Sequence, residues 1–342
     1  MRLVLATLLL ALLAAGLLAA LRVPLPWLVG PLLATASGRL GGVALQGPRW
    51  GRAAGQAVIG TALGLYFTPL VMRPLLGLLP YLLLAGLFAF VLAVLGGALL
   101  QRLSGLDRGS AFFACMPGGA SEMANLAEHH GVRVDRVAAA HSLRMLLVVI
   151  VIPALYTLSG VHGGDLYHAA GRALHYPGLA LLCVLGLAAG WVWSRLGQPN
   201  PWMLGPLVVT ALLTANGIEL SALPPWASPT AQLLIGCSLG SRFSPEFLRV
   251  APRFLTAVAV TSGVLLLVAA AFGWGLAWLS GLNPATAMLG TTPGGIAEMC
   301  LTANALQLGV PVVTAFHVGR VLCVLLLTDP IYRRLSRRLA WR

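Results

Sequence analysis

The sequence predicts an all-α polytopic membrane protein made of two inverted repeats. We expect about ten transmembrane helices, from the ~20 apolar residues that each crossing needs, and two further helices that are re-entrant or broken. Three observations predict this fold: a strongly apolar composition, a set of motifs that recurs about 176 positions along the chain, and an opposite distribution of arginine between equivalent loops.

The composition lies far from that of soluble proteins. Hydrophobic residues make up 58% of the chain and charged residues 9%, with a mean hydropathy of +0.89, whereas about a quarter of the residues in soluble domains are charged. Several apolar runs approach or exceed the ~20 residues that cross a bilayer as a helix. The clearest runs are 3–21, 81–100, 137–158 and 255–279.

The charged residues and cysteines exclude several classes of protein. The net charge is +13, and every basic residue is arginine. Arginine in cytoplasmic loops fixes the orientation of a membrane protein, so we expect the lipid bilayer as partner and no nucleic acid. The five cysteines stand singly in apolar stretches, which is not typical of a disulfide framework or a zinc site. We expect no metal and no cofactor.

The chain repeats itself. Residues 24–32 (PLPWLVGPL) match 199–207 (PNPWMLGPL), and residues 103–106 (LSGL) recur at 279–282. Such self-similarity indicates duplication. It predicts a first membrane repeat at 1–165, a linker at 166–176, a second repeat at 177–332 and a basic cytoplasmic tail at 333–342.

Arginine marks opposite sides of the two repeats. The loop at 38–52 holds three arginines, and its counterpart at 216–228 holds none. Conversely, 67–79 holds one arginine and 242–253 holds three. Because cytoplasmic loops are enriched in arginine, equivalent loops are expected on opposite sides of the membrane. The repeats are therefore predicted to be inverted, with both termini in the cytoplasm.

Each repeat contains a Pro-Gly-Gly step inside an apolar segment. Gly118 and Gly119 follow Pro117, and Gly294 and Gly295 follow Pro293. Proline lacks a backbone donor and glycine leaves helical geometry easily, so each step predicts a helix break followed by a new helix start. A helix N-terminus favours anions, and paired breaks in inverted repeats are typical of a transport site near the membrane midplane.

A glutamate follows each break in the first turn of the new helix, Glu122 after Ser121 and Glu298 in the second repeat. One interpretation is structural: the carboxylate satisfies free amides or pairs with a buried arginine. The other is functional, because acids inside a membrane are costly and commonly serve transport. In that case the glutamate takes up H⁺ or coordinates Na⁺.

A histidine and an arginine follow each glutamate at the same spacing. They are His141 and Arg144 in the first repeat and His317 and Arg320 in the second. Residues three apart share a helix face. We expect the glutamate of the same repeat to be the counter-charge of each arginine, although the actual pairs are not fixed by the sequence. A proton relay through the imidazoles and a packing role both stay open.

Two glutamines are weaker candidates for the substrate site. Gln56 and Gln232 occupy equivalent positions, each three residues before an Ile-Gly step. They are interpreted either as hydrogen-bonding partners of a substrate or as polar contacts between helices, which is the commoner use.

The sequence resembles the membrane AbrB-type family of duplicated bacterial inner-membrane proteins. The resemblance rests on Pro-Gly-Gly-x-x-Glu-Met followed by His-x-x-Arg, present in both repeats. Members of the family are labelled regulators of the aidB gene or ammonia monooxygenases. Its architecture is similar to that of cation/proton antiporters with crossed, broken helices. The resemblance implies an inner-membrane location and allows a homodimer.

The function that these features predict is secondary transport. We expect a small anionic or zwitterionic metabolite to be moved by alternating access at the repeat interface, coupled to H⁺ or Na⁺. The alternative is a membrane-embedded sensor that regulates gene expression indirectly, without net transport. A metal-dependent monooxygenase is a distant third, because two isolated histidines beside arginines are a poor metal site. We therefore do not expect an enzyme.

Overall fold

The computed structural model describes residues 2–163, 173–243, 245, 247 and 252–338. Side chains are described for all of these except 120, 121, 335, 337 and 338. The described residues form helices, turns and loops, and none of them lies in a β-strand. This confirms the prediction of an all-α protein.

The described helices number eight in the first half and seven in the second, and the segment equivalent to α4, at 245–253, is described only in part. In the first half they are α1 (Arg2–Ala20), α2 (Pro26–Leu40), α3 (Gly51–Gly64), α4 (Pro69–Gly77), α5 (Leu79–Ser104), α6 (Arg108–Cys115), α7 (Ala120–His129) and α8 (Val134–Leu158). In the second half they are α9 (Tyr176–Arg195), α10 (Pro201–Ala215), α11 (Ala227–Gly240), α12 (Pro252–Ser280), α13 (Pro284–Thr291), α14 (Ile296–Ala305) and α15 (Val310–Arg338).

Six of the described helices are long and apolar enough to cross a membrane. They are α1, α5, α8, α9, α12 and the part of α15 up to Arg334. Helices α3 and α4 form a pair bent by 89°, which would add a seventh crossing. Helices α2, α3, α10 and α11 have only 14 or 15 residues each. The chain is thus a multi-pass membrane protein, and the number of ten crossings stays a prediction.

The described residues fall into two compact units. The first comprises residues 1–76, 153–247 and 300–311, and the second comprises 77–152, 248–299 and 312–342. Each unit contains segments from both predicted repeats. The boundaries of the two sequence repeats therefore differ from those of the two compact units, because each unit is built from corresponding parts of both repeats.

In the first unit, glycines let α3 cross α10 and α11 cross α2. A Cβ atom on Gly60 would collide with the carbonyl oxygen of Met203, and one on Gly236 would lie 2.5 Å from the carbonyl oxygen of Leu28. Gly60 corresponds to Gly236 in the repeat, and Leu28 corresponds to Met203. Small residues at such crossings allow close packing of membrane helices, and the two halves use them in the same way.

The outer helices of the first unit pack by the same rule. A Cβ atom on Gly30 of α2 would lie 2.7 Å from the backbone nitrogen of Ala15 in α1. The equivalent contact joins Gly205 of α10 to Gly190 of α9, at 2.6 Å. Corresponding residues of the two repeats thus make corresponding contacts, while the inverted orientation of the repeats stays a prediction from the arginine distribution.

In the second unit, the long helices α5 and α12 pack against the short helices α6 and α13, each of which ends just before a Pro-Gly-Gly step. A Cβ atom on Gly97 of α5 would lie 3.2 Å from the carbonyl oxygen of Ala111 in α6. One on Gly273 of α12 would lie 3.0 Å from the carbonyl oxygen of Ala287 in α13. Helices α5 and α12 also pack on each other. Close glycine contacts therefore fix α6 and α13 in place.

Candidate functional site

Both Pro-Gly-Gly steps interrupt a helix, as predicted. Helix α6 ends at Cys115, residues 116–119 are not helical, and α7 begins at Ala120. In the second repeat α13 ends at Thr291 and α14 begins at Ile296. Each break frees carbonyl groups at the end of one helix and N–H groups at the start of the next. Buried groups of this kind need partners.

The glutamates lie in the first turn of the helix that follows each break. Glu122 Oε2 accepts a hydrogen bond from the backbone N–H of Gly119 over 2.9 Å. A Cβ atom on Gly119 would lie 2.8 Å from this oxygen, and one on Gly295 would collide with the carboxylate of Glu298. A larger residue at either glycine would therefore displace the carboxylate from its position at the helix start. The negative charge also stabilises the positive end of the helix dipole.

The arginine side chains contact the end of the helix that precedes each break. Arg144 donates to the carbonyl oxygens of Cys115 and Met116 over 3.0 and 3.2 Å. Arg320 donates to those of Thr292, over 2.7 Å, and Gly294. Each guanidinium therefore donates to carbonyls at, or just after, the end of the preceding helix and offsets the negative end of its dipole.

Arg144 is balanced differently from the sequence-based expectation. That expectation made Glu122, the glutamate of the same repeat, its counter-charge. No described carboxylate forms an ion pair with Arg144, whose partners are two carbonyls and the ring of His141. The expectation is wrong for this pair, because the break itself supplies acceptors that compete for the guanidinium.

His141 is tied into the same network. Its Nδ1 lies 2.9 Å from a guanidinium nitrogen of Arg144, and its Nε2 lies 3.0 Å from the carbonyl oxygen of Phe113. Arginine can only donate, so Nδ1 must accept and the ring proton must reside on Nε2, which donates to Phe113. This assignment makes the imidazole neutral and uses both nitrogens, which favours the packing role over the proton relay.

His317 occupies the equivalent position in the second repeat and is fully buried. Its ring interacts with the backbone of Leu289, which corresponds to Phe113. Among the described residues, neither ring nitrogen reaches hydrogen-bonding geometry. The first repeat thus has the tighter version of the histidine contact.

The two breaks differ in exposure. Glu122 is half-buried, as are Gly118 and Gly119, whereas the Glu298 residue is only 5% exposed. At the second break, a Cβ atom on Gly294 would lie 3.0 Å from the side chain of Val148 in α8. The first break is therefore the more accessible of the two, although their sequences are nearly the same.

The remaining predicted residues lie elsewhere. Gln56 and Gln232 belong to the first compact unit, whereas the glutamates, histidines and arginines above belong to the second. Gln232 is buried and donates from Nε2 to Ser228 Oγ over 3.2 Å, a contact within α11. The side chain of Ser121 lies outside the described residues. None of these three residues has its predicted substrate role tested.

Sequence reasoning missed the acceptors of the site. The carbonyl oxygens of Phe113, Cys115, Met116 and Thr292 hold the histidine and arginine side chains. A backbone carbonyl has no signature of its own in the sequence. The helix break, however, frees carbonyls as surely as it frees N–H groups, so the same proline and glycines could have indicated them.

The described residues define a class: an all-helical multi-pass membrane protein with two interrupted helices whose ends are closed by glutamate, arginine and histidine. Residues 27–336 match the family described as "Transition state regulatory protein AbrB", and the chain belongs to this family.

Two relatives share most of their length with the chain. "Putative regulator AbrB" of Escherichia coli (strain K12) is 28% identical over 322 residues, which cover 93% of this chain and 92% of the relative. "Uncharacterized protein YhjN" of Bacillus subtilis (strain 168) is 28% identical over 265 residues, which cover 73% of this chain and 69% of the relative. These likenesses fit the membrane AbrB-type family that the repeated motif resembles.

Proposed function

We propose that the protein is a secondary transporter of a small anionic or zwitterionic metabolite, coupled to H⁺ or Na⁺. One observation carries the proposal: the carboxylate of Glu122 occupies the helix N-terminus at Gly119, in a half-buried position. A helix N-terminus is an anion site. Here the site is filled by an anion of the protein itself, which protonation can neutralise.

Proton and substrate binding are then linked. When Glu122 is ionised, its carboxylate satisfies the Gly119 N–H, and the empty site carries no unpaired charge. When Glu122 is protonated, its hydrogen bond weakens and the N–H and the helix dipole become available to an anionic group. An anion alone would place two negative charges at one helix start inside the membrane, which is costly, and a proton alone would weaken the hydrogen bond of the Gly119 N–H. The cost couples the two ligands.

The arginines have a supporting role in this mechanism. Arg144 and Arg320 keep the preceding helix ends closed by binding their carbonyls. Their positive charges also favour an anion at the neighbouring helix start. Because these carbonyls already hold arginine, fewer oxygen ligands are left for Na⁺, which favours H⁺ as the coupling ion. In this proposal the protein lies in the inner membrane with both termini cytoplasmic, and the two repeats provide alternating access.

The proposal is tested with purified protein in two stages. A thermal-shift screen in detergent against carboxylates, amino acids, phosphates and amines first finds a ligand, since a compound at ~100 times its dissociation constant adds about 2.7 kcal/mol of stability. The ligand is then offered to proteoliposomes under an imposed pH gradient, with a Na⁺ gradient as the comparison.

Glu122→Gln is the decisive variant, and Glu128→Gln is its matched control because Glu128 is exposed on the same helix. We expect Glu122→Gln to bind and exchange the ligand but to lose accumulation driven by the pH gradient. Glu128→Gln should accumulate it normally. Unchanged proton-driven uptake in Glu122→Gln, or no uptake of any ligand that stabilises the protein, would overturn the proposal.

A membrane-embedded regulator is the second candidate, because one relative carries the name "Putative regulator AbrB". In that case the same site binds a signal without moving it across the membrane. A ligand-induced thermal shift without flux in proteoliposomes would favour the regulator. For a metal-dependent oxygenase the donor set is poor: no group of three or more His, Cys, Asp or Glu side chains is placed to hold a metal within the described part of the chain.

A further inference from the structure

A cavity that contains none of the residues of the helix breaks lies within the first compact unit. It has a volume of about 390 Å³ and is lined by the end of α3, the residues before α11, the start of α11 and the later part of α14. All of its lining residues belong to the first unit. The volume is within the ~300–1,000 Å³ range of pockets for small molecules.

The walls of the cavity are apolar and preformed. Ile59 and Leu63 of α3 and Cys300 and Leu301 of α14 are all buried, at 5% exposure or less. Pro224 and Pro225 also line the cavity, and their fixed φ angles restrict backbone motion there. The cavity therefore does not depend on loose side chains that could close it.

Two polar groups in the wall offer donors. Tyr66 donates to Asn304 Oδ1 over 2.8 Å, which fixes the amide so that its nitrogen is the remaining polar atom. Ser228 Oγ accepts from Gln232 over 3.2 Å, which leaves its hydroxyl proton to donate. Within the described residues neither the Asn304 amide nitrogen nor the Ser228 hydroxyl proton has an acceptor.

The lining contains no charged residue among those described. An ion would therefore enter without a counter-charge, at high cost in an apolar site. An uncharged molecule with an apolar body and an accepting oxygen would lose no charge hydration and would meet the donors of Asn304 and Ser228.

We infer that this cavity binds a small neutral molecule that carries a carbonyl or similar acceptor oxygen. The site differs in chemistry from the one proposed for transport, which favours an anion. The inference does not rest on the transport proposal, since neither Glu122 nor Glu298 takes part in it.

Benzophenone is a suitable probe because it is neutral, has one carbonyl and inserts into nearby C–H bonds on illumination. Purified protein is labelled in detergent, and the adducts are mapped by peptide mass spectrometry. We expect adducts concentrated in peptides that contain residues 59–66, 222–228 and 300–304. Diphenylmethane, which lacks the carbonyl, should compete roughly two- to tenfold less well, the effect of one hydrogen bond. The anion 4-benzoylbenzoate should label the cavity weakly.

Two variants with one matched control test the location. Ala62→Phe fills the cavity and should reduce its labelling at least severalfold. Ala57→Phe, at another half-buried position of α3 that does not line the cavity, should not. Asn304→Leu removes one of the two donors, at an exposed position, and should reduce the advantage of benzophenone over diphenylmethane, while Ser228 remains as the other donor.

The outcomes that overturn the inference are specific. Adducts spread along the exposed leucines of α1 and α9, at the same level in Ala62→Phe as in the unaltered protein, would mean simple partitioning into apolar surface. Equal labelling by 4-benzoylbenzoate would contradict the neutral class of ligand. Because the readout is labelling and not flux, its result is independent of whether transport is observed.

Discussion

A guanidinium nitrogen of Arg144 lies 3.0 Å from the carbonyl oxygen of Cys115, the last residue of α6. A buried cation thus closes the C-terminal end of a helix, while the carboxylate of Glu122 closes the N-terminal end of the next. The break is complemented by opposite charges on its two sides. The sequence suggests an ion pair between these two side chains, whereas in the structure each of them contacts backbone groups at one end of the break.

Removing the Arg144 guanidinium should destabilise the protein strongly. Arg144→Gln leaves two buried carbonyls with fewer donors, and we expect a loss of about 3 kcal/mol in the free energy of unfolding, since hydrogen bonds to charged groups contribute about 1.5–3 kcal/mol each. Arg144→Lys should recover part of this, because lysine keeps the charge but not the forked geometry. Unfolding by SDS titration in mixed micelles measures both, with exposed Arg133→Gln as control. Equal stability of Arg144→Gln and Arg133→Gln would contradict the assigned role.

Glycine at the helix crossings should not tolerate a methyl group. Gly60→Ala and Gly236→Ala place a Cβ atom against the carbonyl oxygens of Met203 and Leu28, and overpacking of this kind costs about 1–3 kcal/mol. Gly16→Ala in α1 meets nothing within 4 Å and should be neutral or stabilising by up to about 1 kcal/mol, because alanine is the better helix former. The unfolding free energies of the three variants are measured in the same detergent. An equal loss of stability in Gly16→Ala and Gly60→Ala would contradict the prediction.

The cap provided by Glu122 should control the start of α7. Glu122→Ala leaves the Gly119 N–H without its acceptor and should cost about 1 kcal/mol, typical of a lost cap. Glu122→Gln keeps an accepting oxygen and should cost less. Hydrogen exchange of the amides at 119–122, followed by mass spectrometry, should accelerate in Glu122→Ala. The control Glu128→Ala should leave these amides unchanged, and faster exchange in both variants would point to general fraying of α7.

The end of α7 is held by packing more than by charge. His130 stacks near Phe113 and contacts the ring of Tyr332 at 4.4 Å between centroids, and its Nε2 lies 3.0 Å from Asp329 Oδ1. Asp329 is 40% exposed, and exposed ion pairs contribute about 0–1 kcal/mol. We expect Asp329→Asn to change stability by less than about 1 kcal/mol. His130→Ala should cost more than His130→Phe, because the aromatic contacts contribute about 0.5–1.5 kcal/mol.

The relative thermal stability of His130→Ala and His130→Phe tests this prediction. A thermal melt that ranks His130→Phe as low as His130→Ala would assign the stability to the Asp329 pair instead. A double-mutant cycle of His130→Ala with Asp329→Asn gives the coupling energy directly.

The sequence by itself determined the helical membrane class, the duplication and the positions of the breaks. Apolar runs near 20 residues have few alternatives to a membrane helix, and Pro-Gly-Gly cannot continue a helix, so these properties follow from local chemistry. The same local rule placed Glu122 and Glu298 in the first turn after each break, where the structure has them.

Only the tertiary structure decided which groups the charged side chains contact and which residues line the cavity. Arg144 lies nearly thirty residues after the carbonyls that it binds. These carbonyls, and not Glu122, are its partners because α8 places the guanidinium beside the end of α6. The cavity likewise joins Tyr66, Ser228 and Asn304 from three distant parts of the chain. The two nearly identical motifs also differ in solvent exposure, because Glu122 is half-buried and Glu298 is buried. Burial and partner choice depend on the surroundings that the fold assembles, and a motif of seven residues does not encode them.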